Sequence, residues 1–304
     1  MSIIQPAQTA FDDPELVARR AELTAELLRF LPADAVLEQQ EEVRPYECDG
    51  LSAYRQLPLL VVLPRTVPEV QRILRLCHAR EVPVVARGAG TGLSGGALPR
   101  NDGVLLSMAR FNRILDLDPR ARTARVQPGV RNLAITEAAK AHGLYYAPDP
   151  SSQIACTIGG NVAENSGGVH CLKYGLTVHN VLALTFVTME GELVELGSAA
   201  LDSAGYDLLA LFIGSEGMLG VVTEVLVKLL PVPERAQALL AAYDDVERAG
   251  RAVGDIIAAG IIPAGLEMMD GPAIQAAEDF VHAGYPTDAA AILLCDHAGT
   301  NQVF

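Results

Sequence analysis

Arg87-Gly-Ala-Gly-Thr-Gly-Leu-Ser-Gly-Gly-Ala97 decides how this chain is read, because five glycines fall between Arg87 and Gly96. Each glycine costs roughly 0.5–1 kcal/mol of chain entropy relative to alanine, so a cluster of them needs a reason. Close approach of backbone to a ligand is one such reason; a flexible surface loop is the bland alternative. The stretch follows the apolar run VPVVA (82–86), so a rigid strand can aim its amides. Gly90-Thr-Gly92-Leu-Ser-Gly95 satisfies GxGxxG, but a Rossmann fingerprint requires a helix to open at its third glycine. Here Gly96, Pro99, Asn101 and Gly103 follow, which will not start a long helix. A P-loop is excluded as well, because no Gly-Lys-Ser/Thr follows. What remains is a nest of amides, with the Thr91 and Ser94 hydroxyls as donors, around the diphosphate of a dinucleotide.

Outward from that loop the texture is β-α-β. LLVVL (59–63) reads as a buried strand, and Thr66 with Glu69 forms a capping box for a helix reaching about Arg80. Beyond the loop, GVLLSM, ILDLD and TARVQP read as strands, and a helix is expected near Asn132–His142. The stretch from Pro148 to Gly175 reads as irregular. VLALTFVTMEGELVEL reads as a hairpin turning at Glu190-Gly191, and GVVTEVLVKLL as a strong strand before the break at Pro231-Val232-Pro233. Upstream, Pro14 to Leu31 reads as an amphipathic helix and an appendage. Downstream, strand and helix alternate up to AAILLC (290–295). These breaks divide the chain into an N-terminal helical extension (1–56), a dinucleotide-binding unit (57–232) and a final unit (233–304).

Two further segments repeat the glycine signal. In PDPSSQIACTIGGNVAENSGG (148–168), paired glycines bracket Asn161 and Asn165, whose amides can address the edge of a polar ring. In GSEGMLGVVTE (214–224), glycines precede a strand, and Glu216 is placed to meet ribose or adenine polar atoms.

Composition narrows the partners. The chain has 304 residues, half of them hydrophobic, with 37 acidic against 23 basic side chains and a net charge of -14, which disfavours nucleic acid. No apolar run approaches the roughly 18 residues of a membrane span, and MSIIQPAQTAFDDPEL lacks the layout of a secretory leader. A cytoplasmic, soluble chain is expected, able to dock on a membrane complex. Five scattered cysteines, without CxxC, read as reduced thiols. Six histidines without HExxH or paired helical spacing argue against a metal site.

The three glycine-bearing segments, in this order, resemble the FAD-binding domain of the vanillyl-alcohol oxidase (PCMH-type) flavoprotein superfamily. With PYECDGLSAYR (45–55), VRNLAI, the stretch Ser166–Gly175 and GLEMMD, the resemblance is closest to the D-2-hydroxyacid dehydrogenase branch and its glycolate oxidase flavin subunits. It covers about Pro45 to Cys295. It implies an α+β fold: two α+β subdomains clasping FAD, then the incomplete start of an antiparallel-sheet substrate (cap) domain. By position it assigns Arg87, Gly88, Ala89, Gly90, Thr91, Gly92, Gly95 and Gly96 to the diphosphate. Pro148, Asp149, Ser151 and Ser152 are assigned to the cofactor's middle, and Gly159, Gly160, Asn161, Ala163 and Asn165 to the flavin side. Glu216, Gly220, Val221 and Val222 are assigned to the adenosine. Some relatives tether the flavin through a histidine in the first loop; Thr91 and the lack of any histidine from Arg87 to Ala97 imply non-covalent FAD.

The resemblance also implies oxidation of glycolate, or a similar D-2-hydroxyacid such as D-lactate, to the 2-oxoacid, with hydride passing to flavin N5. Electrons would leave through a second flavin-domain subunit and an iron-sulfur subunit of a glycolate oxidase complex. The family's HAGDGNMHP-like and GEHG-like motifs are not found here, so the catalytic base and the groups for the substrate carboxylate have no assigned residue. His297-Ala298-Gly299 copies only three letters of the first motif. After Pro233 the alternation supplies half a sheet whose final strand, AAILLC, reads as an uncovered apolar edge. A truncated reading frame, or a split enzyme whose other half is a separate chain, is expected on that ground. An inert FAD-binding fragment is the alternative function, and a UDP-sugar reductase is disfavoured by GLEMMD.

Overall fold

Three stretches of short apolar runs give rise to three main sheets, and the glycine loop hangs between the first two. The computed structural model describes residues 11–200 and 205–299. The opening MSIIQPAQTA, on which the expectation about a leader rests in part, and the final TNQVF lie outside them.

In the first subdomain, β1 (Val36–Leu37), β2 (Leu60–Val62), β3 (Val84–Arg87) and β4 (Val104–Ser107) form a sheet in the order β1-β2-β4-β3, parallel except at β1. The crossover helix Val67–Ala79 opens at the Thr66/Glu69 capping box read from the sequence. It buries Val70, Ile73, Leu74 and Cys77 against the sheet. The N-terminal helix Pro14–Leu27, capped by Asp13, is not an appendage. Leu23, Leu27 and Leu31 enter the same core, and β1 extends the sheet. The apolar stripe that defines an amphipathic helix needs a surface to cover, and here that surface is the β-α-β unit.

The second subdomain is an antiparallel sheet. It uses β5 (Ile114–Asp118), β6 (Thr123–Val126), β8 (Val181–Val187), β9 (Leu193–Gly197) and β10 (Val221–Lys228), while β7 (Leu144–Tyr145) pairs with β11 (Leu230–Pro231) at its flank. The order is β5-β6-β10-β8-β9, with β8 and β9 joined by the expected hairpin at Gly191. The irregular reading of 148–175 needs correction. Ile158–Glu164 is a helix carrying both Gly159 and Gly160, and short helical turns follow at Cys171–Tyr174 and Thr177–Asn180. A Cβ on Gly159 would sit 2.6 Å from that of Pro128, so tertiary packing selects glycine there and overrides its low helix propensity.

In the final unit, β12 (Arg235–Tyr243), β13 (Gly265–Asp270) and β14 (Ala291–Gly299) form an antiparallel sheet in the order β12-β14-β13. Helices Val246–Ala258 and Gly271–Val281 connect them and pack against them. The expectation of an uncovered AAILLC edge is thereby overturned. β14 is the central strand, paired along both sides, and Ile292 and Leu293 are buried. Asp296 to Gly299, beyond AAILLC, complete it.

Candidate functional site

A cavity of about 370 Å³ opens between the two α+β subdomains, and all three glycine-bearing segments reach it. β3 delivers the chain to Arg87, and residues 88 to 99 stay free of helix and strand, as the rejection of the Rossmann reading requires.

The loop is held from beneath. Arg87 is buried, and its Nη1 donates to the carbonyls of Cys48 (2.7 Å), Tyr46 (3.3 Å) and Ala97 (3.4 Å), with the guanidinium 5.6 Å from the Tyr46 ring centroid. Burial pulls its pKa down, partly opposed by Cys48, Asp49 and Tyr46, yet it remains a cation. Through Nη1 its side chain therefore fastens the loop to the PYECDG segment. Gly90 lies directly over it with φ +69°, and a Cβ there would stand 2.3 Å from Nη2. Gly88 faces Thr157, whose Oγ1 is 2.2 Å from where a Cβ would be. Both glycines let backbone run where no side chain fits.

Arg87, Gly88, Ala89, Gly90, Thr91, Gly92 and Gly96 line the cavity, with Ser151, Ser152, Gly159, Gly160, Asn161 and Ala163 opposite and Glu216, Gly220, Val221 and Val222 closing it. Gly95, Pro148, Asp149 and Asn165 are not in the lining. Asn165 adopts φ +49° at the end of the Ile158–Glu164 helix, and its Oδ1 accepts from the Val178 amide. Asn161 lines the wall, but its amide is engaged: Oδ1 accepts from Asn132 (3.0 Å), and Nδ2 donates to Ser166 and the Cys156 sulfur. Ser94, read as a ligand donor, instead bonds the Glu164 carboxylate at 3.2 Å, bridging loop and helix.

Sequence reasoning did not single out Asp49, Thr157 and Ser215, all of which line the cavity. Asp49 Oδ2, Thr157 Oγ1 and Ser215 Oγ are buried without a hydrogen-bond partner. Buried polar atoms without partners are uncommon, and three facing one cavity point to a polar ligand that satisfies them. Asp49 and Ser215 sit within quoted strings, and Thr157 directly precedes the Ile158–Glu164 helix; the sequence carried those signals, but not the burial. Met108, Phe212, Val221 and Val222 supply an apolar wall. Backbone cradle, unsatisfied hydroxyls and apolar wall together fit a cofactor with a charged middle and flat apolar ends, such as FAD.

Burial pushes the Cys77 thiol up to about 12, and all five cysteines are free. Among the described residues no cluster of metal-ligating side chains occurs, and no helix is long and apolar enough to cross a membrane.

Two family models match the chain: an FAD binding domain over residues 58–197, and the C-terminal domain of FAD linked oxidases over residues 232–303. Glycolate oxidase subunit GlcD of Escherichia coli strain K12 is 67% identical over 283 residues, which are 93% of this chain and 57% of that protein. GlcD of Bacillus subtilis is 47% identical over 84% of this chain and 54% of its own length. D-lactate dehydrogenase of Anaerostipes hadrus is 34% identical over 95% of this chain and 61% of its own length. The chain thus spans a little over half the length of these relatives. An alkyldihydroxyacetonephosphate synthase structure shares the fold, with a TM-score of 0.79 at 24% identity over 93% of this chain and 56% of that one.

Proposed function

The chain belongs to the FAD-linked oxidases, and from that membership we propose that it holds FAD for the oxidation of glycolate, or a similar D-2-hydroxyacid such as D-lactate, to the 2-oxoacid. Similarity to GlcD subunits and to a D-lactate dehydrogenase supports the substrate class. The observation that carries the reading is the cavity itself, where bare backbone from Gly88 to Gly92 meets the unpartnered Thr157 and Ser215 hydroxyls. We further propose that residues 57–232, with the preceding stretch of 1–56 joined to their first subdomain through the Pro14–Leu27 helix and β1, form the FAD-binding unit, and 233–304 part of the substrate domain.

The flavin, when bound, supplies an acceptor for hydride from the substrate's carbinol carbon. This chain's residues bind and orient it. The amides of Gly88 to Gly92 and Gly96 take the diphosphate, Thr157 and Ser215 complete its hydrogen bonds, and Val221, Val222 and Met108 exclude water beside the flat groups. Asp49 and Glu164 place negative charge near the anion, which costs affinity. Glu164→Gln is therefore expected to tighten FAD binding by up to about fivefold, an effect kept small by the exposure of Glu164 and lost at high salt; titration of apoprotein at two ionic strengths checks it.

The cofactor is non-covalent in this reading, since Thr91 stands among the cradle residues and no histidine lies between Arg87 and Ala97. Acid precipitation is expected to leave all the flavin in the supernatant; yellow colour retained in the pellet would contradict it. Electrons leave through a second flavin-domain subunit and an iron-sulfur subunit, and any membrane association is through that complex at the cytoplasmic face.

One observation favours a second reading, a cofactor-binding part without turnover of its own. Among the described residues Arg87 is the one cationic side chain lining the cavity, and its Nη1 is committed to carbonyls, so no lysine or histidine of the lining pairs a substrate carboxylate. Purified protein with bound flavin, mixed with glycolate and an artificial electron acceptor, separates the two: dye reduction establishes the oxidase reading, and flavin that stays oxidised establishes the second.

A further inference from the structure

Outside the cavity, one cluster of titratable groups joins the flavin-binding half to the final sheet. His170 lies just before the short turn Cys171–Tyr174. Its Nδ1 is 2.6 Å from Asp149 Oδ2, and its Nε2 is 3.2 Å from Asp296 Oδ2 in β14, 126 residues away. Asp149 Oδ1 also accepts from the His170 backbone amide at 3.2 Å. The three side chains are largely covered, with relative exposures of 33%, 19% and 33% for His170, Asp149 and Asp296.

The surroundings are built for close approach. A Cβ on Gly168 would fall 2.3 Å from Asp149 Oδ1, and one on Gly265, at the start of β13, would fall 3.0 Å from Val169 Cγ1. Lys173 Nζ of the flavin-binding half donates to the Ala298 carbonyl of β14, while within the final unit the Ala264 amide donates to the Asp296 carbonyl at 2.7 Å. Two polar contacts thus cross between the halves, His170 to Asp296 and Lys173 to Ala298.

A neutral imidazole carries one N–H. If Nδ1 donates to Asp149, Nε2 presents a lone pair to the Asp296 carboxylate, which repels it. Only the imidazolium donates to both. We propose that His170, in its protonated form, is a clamp that seats the β12–β14 sheet on the flavin-binding half, and that this half releases the sheet when the imidazole loses its proton.

Around the cluster, Asp149 faces His170 from the 148–152 loop and Asp296 faces it from β14. Lys173 and Tyr174 lie on its own turn, with the Tyr174 ring centroid 6.4 Å away, and Tyr145 packs edge-on against Tyr174 at 6.2 Å. Cys295 precedes Asp296 in β14. Partial burial pulls the imidazole pKa down, but the hydrogen bonds to the two aspartates and their negative charge outweigh it, so the net direction is up. A raised folded-state pKa means that the clamp is fully present below the ordinary imidazole value of about 6.5 and is lost as pH rises through the raised value. Seating of the sheet then couples to pH at a place distinct from the cofactor cradle.

The test is hydrogen exchange of residues 291–299 and 265–270 across pH, with rates corrected by an unstructured reference peptide, together with histidine NMR titration. In the wild-type chain, protection is expected to be about tenfold greater than in His170→Gln at pH 6 and equal to it at pH 9. Asp296→Asn is expected to lower the His170 pKa and flatten the pH dependence while leaving flavin content unchanged, which keeps the result independent of the functional assignment. Equal protection in wild type and His170→Gln at every pH overturns the clamp. So does a His170 pKa that neither Asp149→Asn nor Asp296→Asn moves.

Discussion

Gly90→Val is expected to yield protein that purifies without yellow colour and binds added FAD at least about a hundredfold more weakly, a loss of about 2.7 kcal/mol. Two costs combine. At φ +69° a β-branched residue is strained by about 1–2 kcal/mol, and its Cβ would stand 2.3 Å from the Arg87 guanidinium. The guanidinium is held by three carbonyls and cannot yield without releasing them. The loop must therefore lift, and Thr91 and Gly92, which face the cavity, lift with it. Flavin fluorescence titration measures the loss. A Kd within threefold of wild type would show that the loop at Gly90 does not touch the cofactor.

Arg87→Ala is expected to destabilise the fold itself. The partly buried carbonyls of Tyr46, Cys48 and Ala97 lose their donor, and leaving such acceptors unsatisfied costs about 1–3 kcal/mol each, so about 3 kcal/mol in total once the two longer bonds and the partial exposure are discounted. For a cooperative unit of this size that corresponds to a fall in Tm of roughly 6–12 °C. Arg87→Lys is expected to recover less than half of it, because an ammonium cannot span carbonyls from two segments as a planar guanidinium does. Calorimetry without added FAD isolates this structural role. An unchanged Tm would return Arg87 to the role of a phosphate ligand that the family resemblance assigned.

Much of the site was legible because its signal is local. Glycines at 88, 90, 92 and 96 mark bare backbone in any fold, and Pro99 after them rules out a helix without further information. The Thr66 capping box and the hairpin at Gly191 are likewise short-range devices. What could not be read depends on chain segments meeting at long range. Nothing near Arg87 shows that its side chain points back toward Cys48, and nothing near Asp149 announces Asp296. Gly159 and Gly160 read as loop because glycine weakens isolated helices; Pro128, 31 residues upstream of Gly159, is what makes the helix the better packing. The order β12-β14-β13 was out of reach for the same reason, since alternating strands and helices leave the choice of central strand to the tertiary core.

That strand order has a consequence for synthesis. Within the sheet, β12 and β13 have β14 as their only partner, and β14 is made last of the three. Tyr243, at the end of β12, leaves the peptidyl-transferase centre roughly 55 residues before Gly299, which at about 5–20 residues per second is a delay of several seconds. Through that interval both waiting strands carry an open ladder, with Leu239 and Leu240 on β12 exposed even once β14 is in place. The nascent chain is then at its stickiest after its cofactor-binding half is complete, and chaperone demand falls on residues 235–270, late in translation.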